Sequence, residues 1–361
     1  MAFLDFKNVR IAGFSAGVPK RVVSNEGDVV RSSNYDAAQF VELTGVRERR
    51  YSETLTTSDL CYYAAERLVS DLHWDKQEID ALIFVSQSAD YVLPATSCIL
   101  QDRLGLSKEC YCDDSALGCS GWVYGLSHVA SLVSAGTIRK ALLCCGDAKL
   151  RFALDSNYKA DPLFGHAGTV TAMEYSEDAE RIMCHYGTDG SGFDAVIIPD
   201  GGARCPASSE SWKIENIDGV PLQRLQTRMN GMDVFSFGIS TAPKSVKKLA
   251  EHFNFDYLDY DYFLFHQANM KMNAVIEKKL KLDHEKVPYS MPRFGNTSSA
   301  SIPLTIVTEL KGKVENAPTK FIACGFGVGL SWGTVAFKTD KLVVSELVEV
   351  SDDEVDKIHV V

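Results

Sequence analysis

One cysteine of the 361-residue chain has the surroundings of a nucleophile. Cys119 follows a predicted strand and a short turn at residues 116–118, and it begins a predicted helix whose apolar residues recur at helical spacing. The start of a helix offers unpaired N–H groups and partial positive charge, which predicts a lowered thiol pKa. Gly118 and Gly121 leave room for a substrate carbonyl. The pattern suits acyl transfer through a covalent thioester, and a buried structural cysteine would give the same local sequence.

Two further residues could act on this thiol or on its substrate. His266 ends a predicted strand, and such a position lies at the rim where ligands bind in open α/β sheets. Asn296 lies in a Gly-Asn-Thr turn before a predicted helix, where its amide could donate a hydrogen bond. Hydrogen-bonded structural histidines and asparagines in turns are common. Neither residue is therefore assigned to catalysis by its position alone.

Alternating strands and helices must position these residues. Continuous apolar runs bounded by turn residues predict parallel strands covered on both faces, which places the chain in the α/β class. In the first half, strands are predicted at 9–14, 81–87, 109–114, 141–146 and 169–174, with helices at 58–71, N-capped by Thr57, and at 119–135. In the second half, helices are predicted at 235–253, 269–280 and 298–310, with strands at 262–266, 320–324 and 334–338. The repeated order of elements indicates a duplicated fold.

The duplication predicts how the chain divides. Residues 1–187 form a first half that carries Cys119, and residues 188–226, rich in Gly, Ser and Asp, form an irregular connection. Residues 227–340 form a second half that carries His266 and Asn296. The acidic tail at 341–361 is expected to be a solvated appendage without chemistry.

Composition excludes several classes of function. The chain is 45% hydrophobic and 24% charged, as in globular proteins, and its net charge of −11 argues against nucleic acid or an anionic membrane as the general partner. No apolar run is long enough for a membrane helix, and Asp5, Lys7 and Arg10 interrupt the position of a signal peptide, so a cytoplasmic protein is predicted. The ten cysteines are then reduced, and Cys110 and Cys112 lack the further ligands of a metal site.

Several ordered motifs, taken together, point to one family. They are TGVRERR at 44–50, the Cys119 segment, FGHAG at 164–168, HQAN at 266–269, GNTSSASIP at 295–303 and GFGVGLSWG at 325–333. From about residue 8 to residue 340, the sequence resembles the β-ketoacyl-acyl carrier protein synthase III family of the thiolase superfamily. The resemblance implies a catalytic triad of Cys119, His266 and Asn296, a duplicated thiolase-like fold of five α-β-α-β-α layers, and a homodimer. It implies neither a cofactor nor a metal.

The resemblance also implies a reaction. Cys119 takes an acyl group from a thioester, malonyl-acyl carrier protein enters and loses carbon dioxide, and the enolate attacks the acyl group to give a 3-oxoacyl-carrier product. His266 and Asn296 would stabilise the enolate by hydrogen bonds. Backbone N–H groups of Cys119 and Val328 would form the oxyanion hole for the acyl carbonyl.

Other roles carried by the resemblance concern the substrate and the carrier protein. Leu93, Phe326 and Val328 are expected to line the acyl pocket. Lys271, Lys278 and Lys279 follow His266 on one predicted helix, and Lys271 and Lys278 share a face, which could dock an acidic carrier protein. An ordinary solvated lysine face would show the same spacing.

The sequence departs from the family where coenzyme A is usually held. Gln39 replaces a tryptophan of the family, Leu43 and Tyr158 replace two arginines, and His166 replaces the aspartate of the FGD motif. We therefore expect an acyl donor that is carrier-bound, or a CoA ester held differently, in a specialised pathway.

Alternative functions remain open at this level. They are acyl transfer to an alcohol or amine without condensation, and an inactive partner subunit. A type III polyketide synthase shares the same triad types, but TGVRERR and HQAN resemble the synthase III branch more closely. A hydroxymethylglutaryl-CoA synthase is disfavoured because no motif places its general-acid glutamate near Cys119.

Overall fold

The computed structural model describes residues 2–26, 37–148, 162–217 and 220–354. Its helices are α1 Ala37–Thr44, α2 Thr57–Asp71, α3 Thr96–Leu104, α4 Gly121–Ser134, α5 Gly231–Phe253, α6 Met270–Leu280, α7 Met291–Phe294 and α8 Ser301–Thr305. Its strands are β1 Ala2–Phe6, β2 Val9–Pro19, β3 Val22–Ser24, β4 Glu48–Arg50, β5 Ala81–Val85, β6 Tyr111–Ser115, β7 Lys140–Asp147, β8 Ala167–Tyr175, β9 Ile182–Thr188, β10 Val196–Ile197, β11 Glu215–Ile217, β12 Val220–Leu222, β13 Arg228–Met229, β14 Tyr262–Phe265, β15 Thr319–Gly327, β16 Ser331–Thr339, β17 Val343–Val344 and β18 Val348–Val350.

Two mixed sheets form the framework. One has the order β17-β2-β8-β7-β5-β6, with β18 also paired to β2, and the other has the order β1-β9-β16-β15-β14. Strand β5 is parallel to β6 and β7, and β14 is parallel to β15, whereas β8 and β16 are antiparallel to both of their neighbours. The expectation of parallel strands is therefore confirmed for β5 with β6 and β7 and for β14 with β15, and it is wrong for β8 and β16. Continuous apolar runs report burial on both faces of a strand, and that burial does not fix the strand's direction.

The helices and sheets stack in five layers. Helices α2 and α3 cover the outer face of the first sheet, and α5 and α6 cover the outer face of the second. Between the sheets lie α4 and α8, which share one apolar core with strands of both. Trp122 of α4 is buried there, and its indole N–H donates to the Thr171 hydroxyl at 2.9 Å. This is the predicted α-β-α-β-α arrangement.

Three helix starts differ from prediction in ways that affect the site. Helix α2 is capped by Thr56 rather than Thr57, in a capping box with Asp59. Helix α4 begins at Gly121, two residues after Cys119. The predicted helix at 298–310 consists of a 3₁₀ turn over Ser298–Ala300, the short α8, and a π-helical segment over Ile306–Leu310.

The two sheets exchange strands across the predicted domain boundary. Strands β1 and β9 precede residue 189, yet they pair with each other and β9 pairs with β16 in the second sheet. The division of the chain at residues 187, 226 and 340 stays a prediction.

Of the helices in the described ranges, none combines the length and apolar character needed to cross a membrane.

The C-terminal segment is not a solvated appendage, so that expectation is wrong for residues 343–354. Strands β17 and β18 both pair in parallel with β2, and Val344 and Val350 are buried. Glu349 forms an ion pair with Arg50 at 2.7 Å, and the Asp352 carboxylate accepts a hydrogen bond from Thr54 at 3.1 Å. Apolar residues between the acidic ones supply a buried face, and several acidic side chains find partners at the surface.

Candidate active site

The nucleophile candidate, Cys119, lies in the turn between β6 and α4, half-buried and with a free thiol. The turn closes tightly, since the Gly121 N–H donates to the Gly118 carbonyl at 2.6 Å. The end of β15 passes directly over the sulfur. A Cβ atom at Gly327 would lie 2.5 Å from the Cys119 Cβ and 3.1 Å from its Sγ, so only glycine fits there.

The surroundings of Cys119 hold the resting thiol neutral. Burial, and secondarily the charge of Asp147, raise the pKa of Cys119 to about 12. Hydrogen bonds from the Ser298 hydroxyl and from the backbone N–H groups of Cys119 and Val328 act in the opposite direction. The expectation of a lowered thiol pKa is therefore wrong for the resting site. Burial and a like charge outweigh the help of a helix that begins only at Gly121.

His266 is placed by the end of β14, with 1% of its surface exposed. Its Nδ1 shares a hydrogen bond of 2.8 Å with the Ser301 hydroxyl, and the ring packs edge-on against Phe326 with centroids 5.7 Å apart. Burial lowers the pKa of His266 to about 3, and only the Ser298 carbonyl opposes that effect. The imidazole is thus neutral at pH 7. When Ser301 donates to Nδ1, the ring's N–H is on Nε2.

Asn296 is held on its backbone and on its side-chain oxygen. Its N–H donates to the Leu163 carbonyl at 2.8 Å, and its carbonyl accepts from the Gly165 N–H at 3.0 Å. The Oδ1 atom accepts from the Ser298 N–H at 2.9 Å, which directs the NH₂ end to the other side of the carboxamide. Gly295 precedes it with a φ of 67°, a left-handed conformation that favours glycine.

Ser298 joins the three predicted residues. Its N–H binds Asn296, its carbonyl lies at His266, and its hydroxyl reaches Cys119. It is buried and adopts a left-handed φ of 52°. Sequence reasoning missed it, although it lies two residues after Asn296 in the same motif. The structure thus gathers Cys119, His266 and Asn296 around one serine.

Asp147, at the end of β7, is a second residue that sequence reasoning missed. Its Oδ1 accepts from the Ser86 hydroxyl at 2.9 Å, the Gln87 N–H at 2.7 Å and the Ser88 hydroxyl at 3.2 Å. Burial nevertheless raises the pKa of the carboxyl group. The available signal was an acidic residue directly after the apolar run at 141–146.

The other predicted site residues divide between interior and surface. Phe326 is buried against His266, and Val328 is half-buried with its N–H beside the sulfur of Cys119. Leu93, in contrast, is 79% exposed in the loop between β5 and α3. The assignment of Leu93, Phe326 and Val328 to an acyl pocket stays a prediction.

The three lysines lie on α6, as the spacing predicts. Lys271 forms an ion pair of 3.7 Å with Glu42 of α1, and the Lys279 ammonium donates to the Ile239 carbonyl at 2.9 Å. Lys278 is exposed.

In the described ranges, no group of three or more His, Cys, Asp or Glu side chains could hold a metal ion.

The residues that depart from the family pattern have mixed locations. Gln39 and Leu43 lie on α1, and Leu43 is 43% exposed. Tyr158 lies outside the described residues. His166 is buried, accepts a hydrogen bond from the Ser52 N–H at 3.3 Å, and packs against the Tyr51 ring with centroids 4.7 Å apart.

Comparison with known proteins agrees with this geometry. Residues 114–190 match the family model of 3-oxoacyl-[acyl-carrier-protein] synthase III, and residues 250–339 match the model of its C-terminal part. The chain is 31% identical to a β-ketoacyl-[acyl-carrier-protein] synthase III of Clostridium acetobutylicum over 335 residues, which cover 92% of this chain and 99% of the relative.

Solved structures give the same result for the thiolase-like fold. A 3-oxoacyl-(acyl-carrier protein) synthase from Burkholderia xenovorans LB400 superposes with a TM-score of 0.89 at 36% identity, covering 97% of this chain and 99% of the other. The 3-oxoacyl-(acyl carrier protein) synthase III of Pseudomonas aeruginosa PAO1 gives a TM-score of 0.79 at 28% identity, with 93% and 100% covered. The chain belongs to the 3-oxoacyl-[acyl-carrier-protein] synthase III family.

Proposed function

We propose that this chain condenses an acyl thioester with malonyl-acyl carrier protein, losing carbon dioxide and giving a 3-oxoacyl-carrier product. The observation that carries the proposal is the convergence of Cys119, His266 and Asn296 on the backbone and side chain of Ser298. A thiol supplies the covalent acyl carrier, and two neutral hydrogen-bond donors supply what an enolate needs.

The acylation step uses the turn around Cys119. The sulfur attacks the carbonyl carbon of the donor thioester, and the donor thiol leaves. Backbone N–H groups of Cys119 and Val328 already surround the sulfur, so they are suited to bind the oxyanion that forms beside it. The close approach of Gly327 keeps this part of the site narrow.

The condensation step uses the other side of the site. Loss of carbon dioxide from the malonyl group leaves an enolate oxygen with nearly a full negative charge. The N–H of neutral His266 and the NH₂ group of Asn296 are the proposed donors to that oxygen, each worth about 3 to 4 kcal/mol by analogy with an oxyanion hole. The carbanion then attacks the acyl-Cys119 carbonyl.

The acyl donor in this proposal is carrier-bound, or a CoA ester held in an unusual way. Gln39 and Leu43 of α1 supply neither a stacking ring nor a guanidinium group. Lys271, Lys278 and Lys279 on α6 are the proposed docking cations for the acidic carrier, on a chain whose net charge is otherwise −11.

A homodimer is part of the same proposal, as is a cytoplasmic location. Within the part of the chain that the structure describes, β6 ends the first sheet and pairs only with β5. Tyr91, Val92 and Leu93 expose large apolar side chains between β5 and α3. An open strand edge and an exposed apolar loop support a second copy as the partner. Light scattering should give about twice the 39.7 kDa of one chain.

Two half-reactions test the proposal. Intact-mass measurement should show one acyl group added to wild type by a thioester donor and none added to Cys119→Ala. Release of carbon dioxide from malonyl-carrier should occur with wild type and fall about 10²- to 10³-fold in Asn296→Ala. Acyl loading without carbon dioxide release, followed by transfer to an alcohol or amine, would favour the non-condensing alternative. Absence of both reactions would favour an inactive subunit.

A further inference from the structure

A buried carboxylate lies beside the candidate nucleophile, and the proposed reaction has not used it. The Oδ1 atom of Asp147 is occupied by three donors from residues 86–88. Its Oδ2 atom is buried and accepts no hydrogen bond of ordinary geometry from the described residues. An unsatisfied carboxylate oxygen in the interior is costly, because the charge has lost its water without a full replacement. Such an atom is well suited to take up a proton.

The Ser298 hydroxyl links this carboxylate to the thiol. The 3₁₀ turn that contains Ser298 packs against β7, which ends at Asp147. Burial raises the pKa of both the Asp147 carboxyl group and the Cys119 thiol, and the Ser298 hydroxyl opposes burial at each group. The position of this hydroxyl next to the nucleophile turn is independently fixed, since a Cβ at Gly118 would lie 3.4 Å from the Ser298 Oγ. A hydroxyl has one proton to donate and two lone pairs that accept. It can therefore accept from the thiol while it donates to the carboxylate.

Charge balance favours proton movement along this path. Burial is the largest cause of the raised pKa values of the Cys119 thiol and of the neighbouring Cys145 thiol, and the Asp147 charge raises both further. Two buried anions so close together are unfavourable. If the thiol proton moves onto Asp147, the pair carries one negative charge before and after, and no second buried anion is created.

We propose that the Asp147 carboxylate, acting through the Ser298 hydroxyl, is the base that accepts the Cys119 proton during acylation. This inference rests on the proposed function, because it requires Cys119 to be acylated. The S–H bond breaks as its proton passes to Ser298, and the Ser298 proton passes to Asp147. The thiolate forms a bond to the acyl carbon, the donor's C–S bond breaks, and the departing thiolate takes the proton held by Asp147.

The pH dependence of single-turnover acylation tests this assignment. In wild type, an internal proton transfer releases no proton to solvent, so the acylation rate should be flat over the pH range where Asp147 is ionised and Cys119 is not. In Asp147→Asn, the proton must leave for solvent. The rate should then rise about tenfold per pH unit, starting below the wild-type value at the acidic end of the range. Quenched-flow intact-mass measurement reads the acyl enzyme directly.

Asp147→Asn is a close match in shape, because the amide oxygen can still accept the three donors to Oδ1. The control is Asp90→Asn, which alters another largely buried carboxylate whose Oδ1 also has no partner within the described residues. Asp90 contacts Ser58 rather than the Cys119 turn, so its profile should stay flat. A flat profile in Asp147→Asn would overturn the inference and assign the proton to His266.

Ser298→Ala provides a second test that does not depend on the folding of the Asp147 variant. Residue 298 contacts His266 and Asn296 through its backbone, and Cys119 and Asp147 through its side chain. Ser298→Ala should therefore slow acylation about tenfold or more while carbon dioxide release from malonyl-carrier, measured without acyl donor, stays near wild type. Its effect on acylation should be smaller in the Asp147→Asn background.

Equal losses in both half-reactions, or an unchanged acylation rate, would remove Ser298 from the path. Failure of the proposed function looks different: wild type itself would then accept no acyl group from any thioester. A wild type that is acylated, with an Asp147→Asn profile that remains flat, refutes this inference and leaves the condensation proposal standing.

Discussion

The interior of the candidate site and its rim are held by different kinds of contact. In the interior, Asn296 is fixed by three hydrogen bonds, His266 is buried against Ser301, and glycine at 327 allows the chain to touch Cys119. We call the surface residues that are proposed to meet the thioester or the carrier the rim: Leu43 and Leu93 are exposed, and Lys271 makes only a long surface ion pair of 3.7 Å. The interior is preorganised by this chain alone, whereas the rim offers side chains to a partner or substrate.

This difference predicts unequal responses to mutation. Single-atom changes in the interior should affect the chemical steps, because the reacting groups have no room to adjust. Changes at the rim should affect which thioester binds and how tightly, with the chemistry retained. The four predictions below test this contrast in order of decreasing effect.

The largest effect is expected from one added methyl group at Gly327. Gly327→Ala places a Cβ 2.5 Å from the Cys119 Cβ, so either the strand or the sulfur must move. A shift of that kind should reduce the acylation rate about 10²-fold. Gly202→Ala is the matched control, since no atom lies within 4 Å of its added Cβ. Acylation rates measured for both variants test this prediction. An unchanged acylation rate in Gly327→Ala would show that the interior of the site can adjust to an added methyl group.

At the rim, restoring the lost side chains should change the choice of donor. The double variant Gln39→Trp and Leu43→Arg adds a stacking ring and a cation to α1, at the positions where the family resemblance implies contacts with coenzyme A. We expect kcat/KM for acetyl-CoA to rise about tenfold, equivalent to about 1.4 kcal/mol of binding. The same variant tested with a carrier-bound acyl donor is the control and should not gain. A parallel gain with both donors would argue against a rim that selects the thioester.

Charge reversal on α6 should weaken the binding of the carrier-bound substrate, by a smaller factor than the changes at Gly327 or on α1. Lys271→Glu with Lys278→Glu should raise the Michaelis constant for malonyl-carrier several-fold at low salt, and the difference should shrink as salt screens the charges. Lys7→Glu with Lys108→Glu makes the same net charge change at exposed positions on other elements. Equal increases in the Michaelis constant for the two double variants would show that overall charge causes the effect. They would contradict the proposed docking surface on α6.

The contrast between interior and rim also explains what the sequence could predict. The sequence was sufficient to predict the three candidate catalytic residues, Cys119, His266 and Asn296. Each lies at the end of a strand or in a turn, within a motif whose neighbouring residues are distinctive. Ser298 and Asp147 were missed because the interactions of Ser298 with Asp147 and with Cys119 join residues more than 140 positions apart. Serines and aspartates are also common in turns, which gives them no local signal.

Two incorrect expectations have the same physical origin. The acidic residues that dominate the composition of the tail predict a solvated segment, yet Val344 and Val350 are buried where β17 and β18 pair with β2. The thiol pKa was expected to fall because helix termini are visible in a sequence. Burial and the charge of Asp147 depend on tertiary contacts, and they have the opposite sign.

The smallest effect concerns the pH dependence of stability, where the interior should again differ from the surface. Burial lowers the pKa of His266 to about 3 and that of His185 to about 4, whereas an unfolded histidine has a pKa of about 6.5. Because the unfolded state takes up these protons first, the stabilising contribution of neutral histidine is complete above pH 6.5 and is lost progressively as the pH falls toward 3.

Thermal unfolding of His185→Asn, which leaves the candidate site intact, should depend less on pH between 6.5 and 4 than that of wild type. His73→Asn, at a histidine outside the core, should follow wild type, and a slope that is the same for all three proteins would mean that His185 titrates normally in the folded chain.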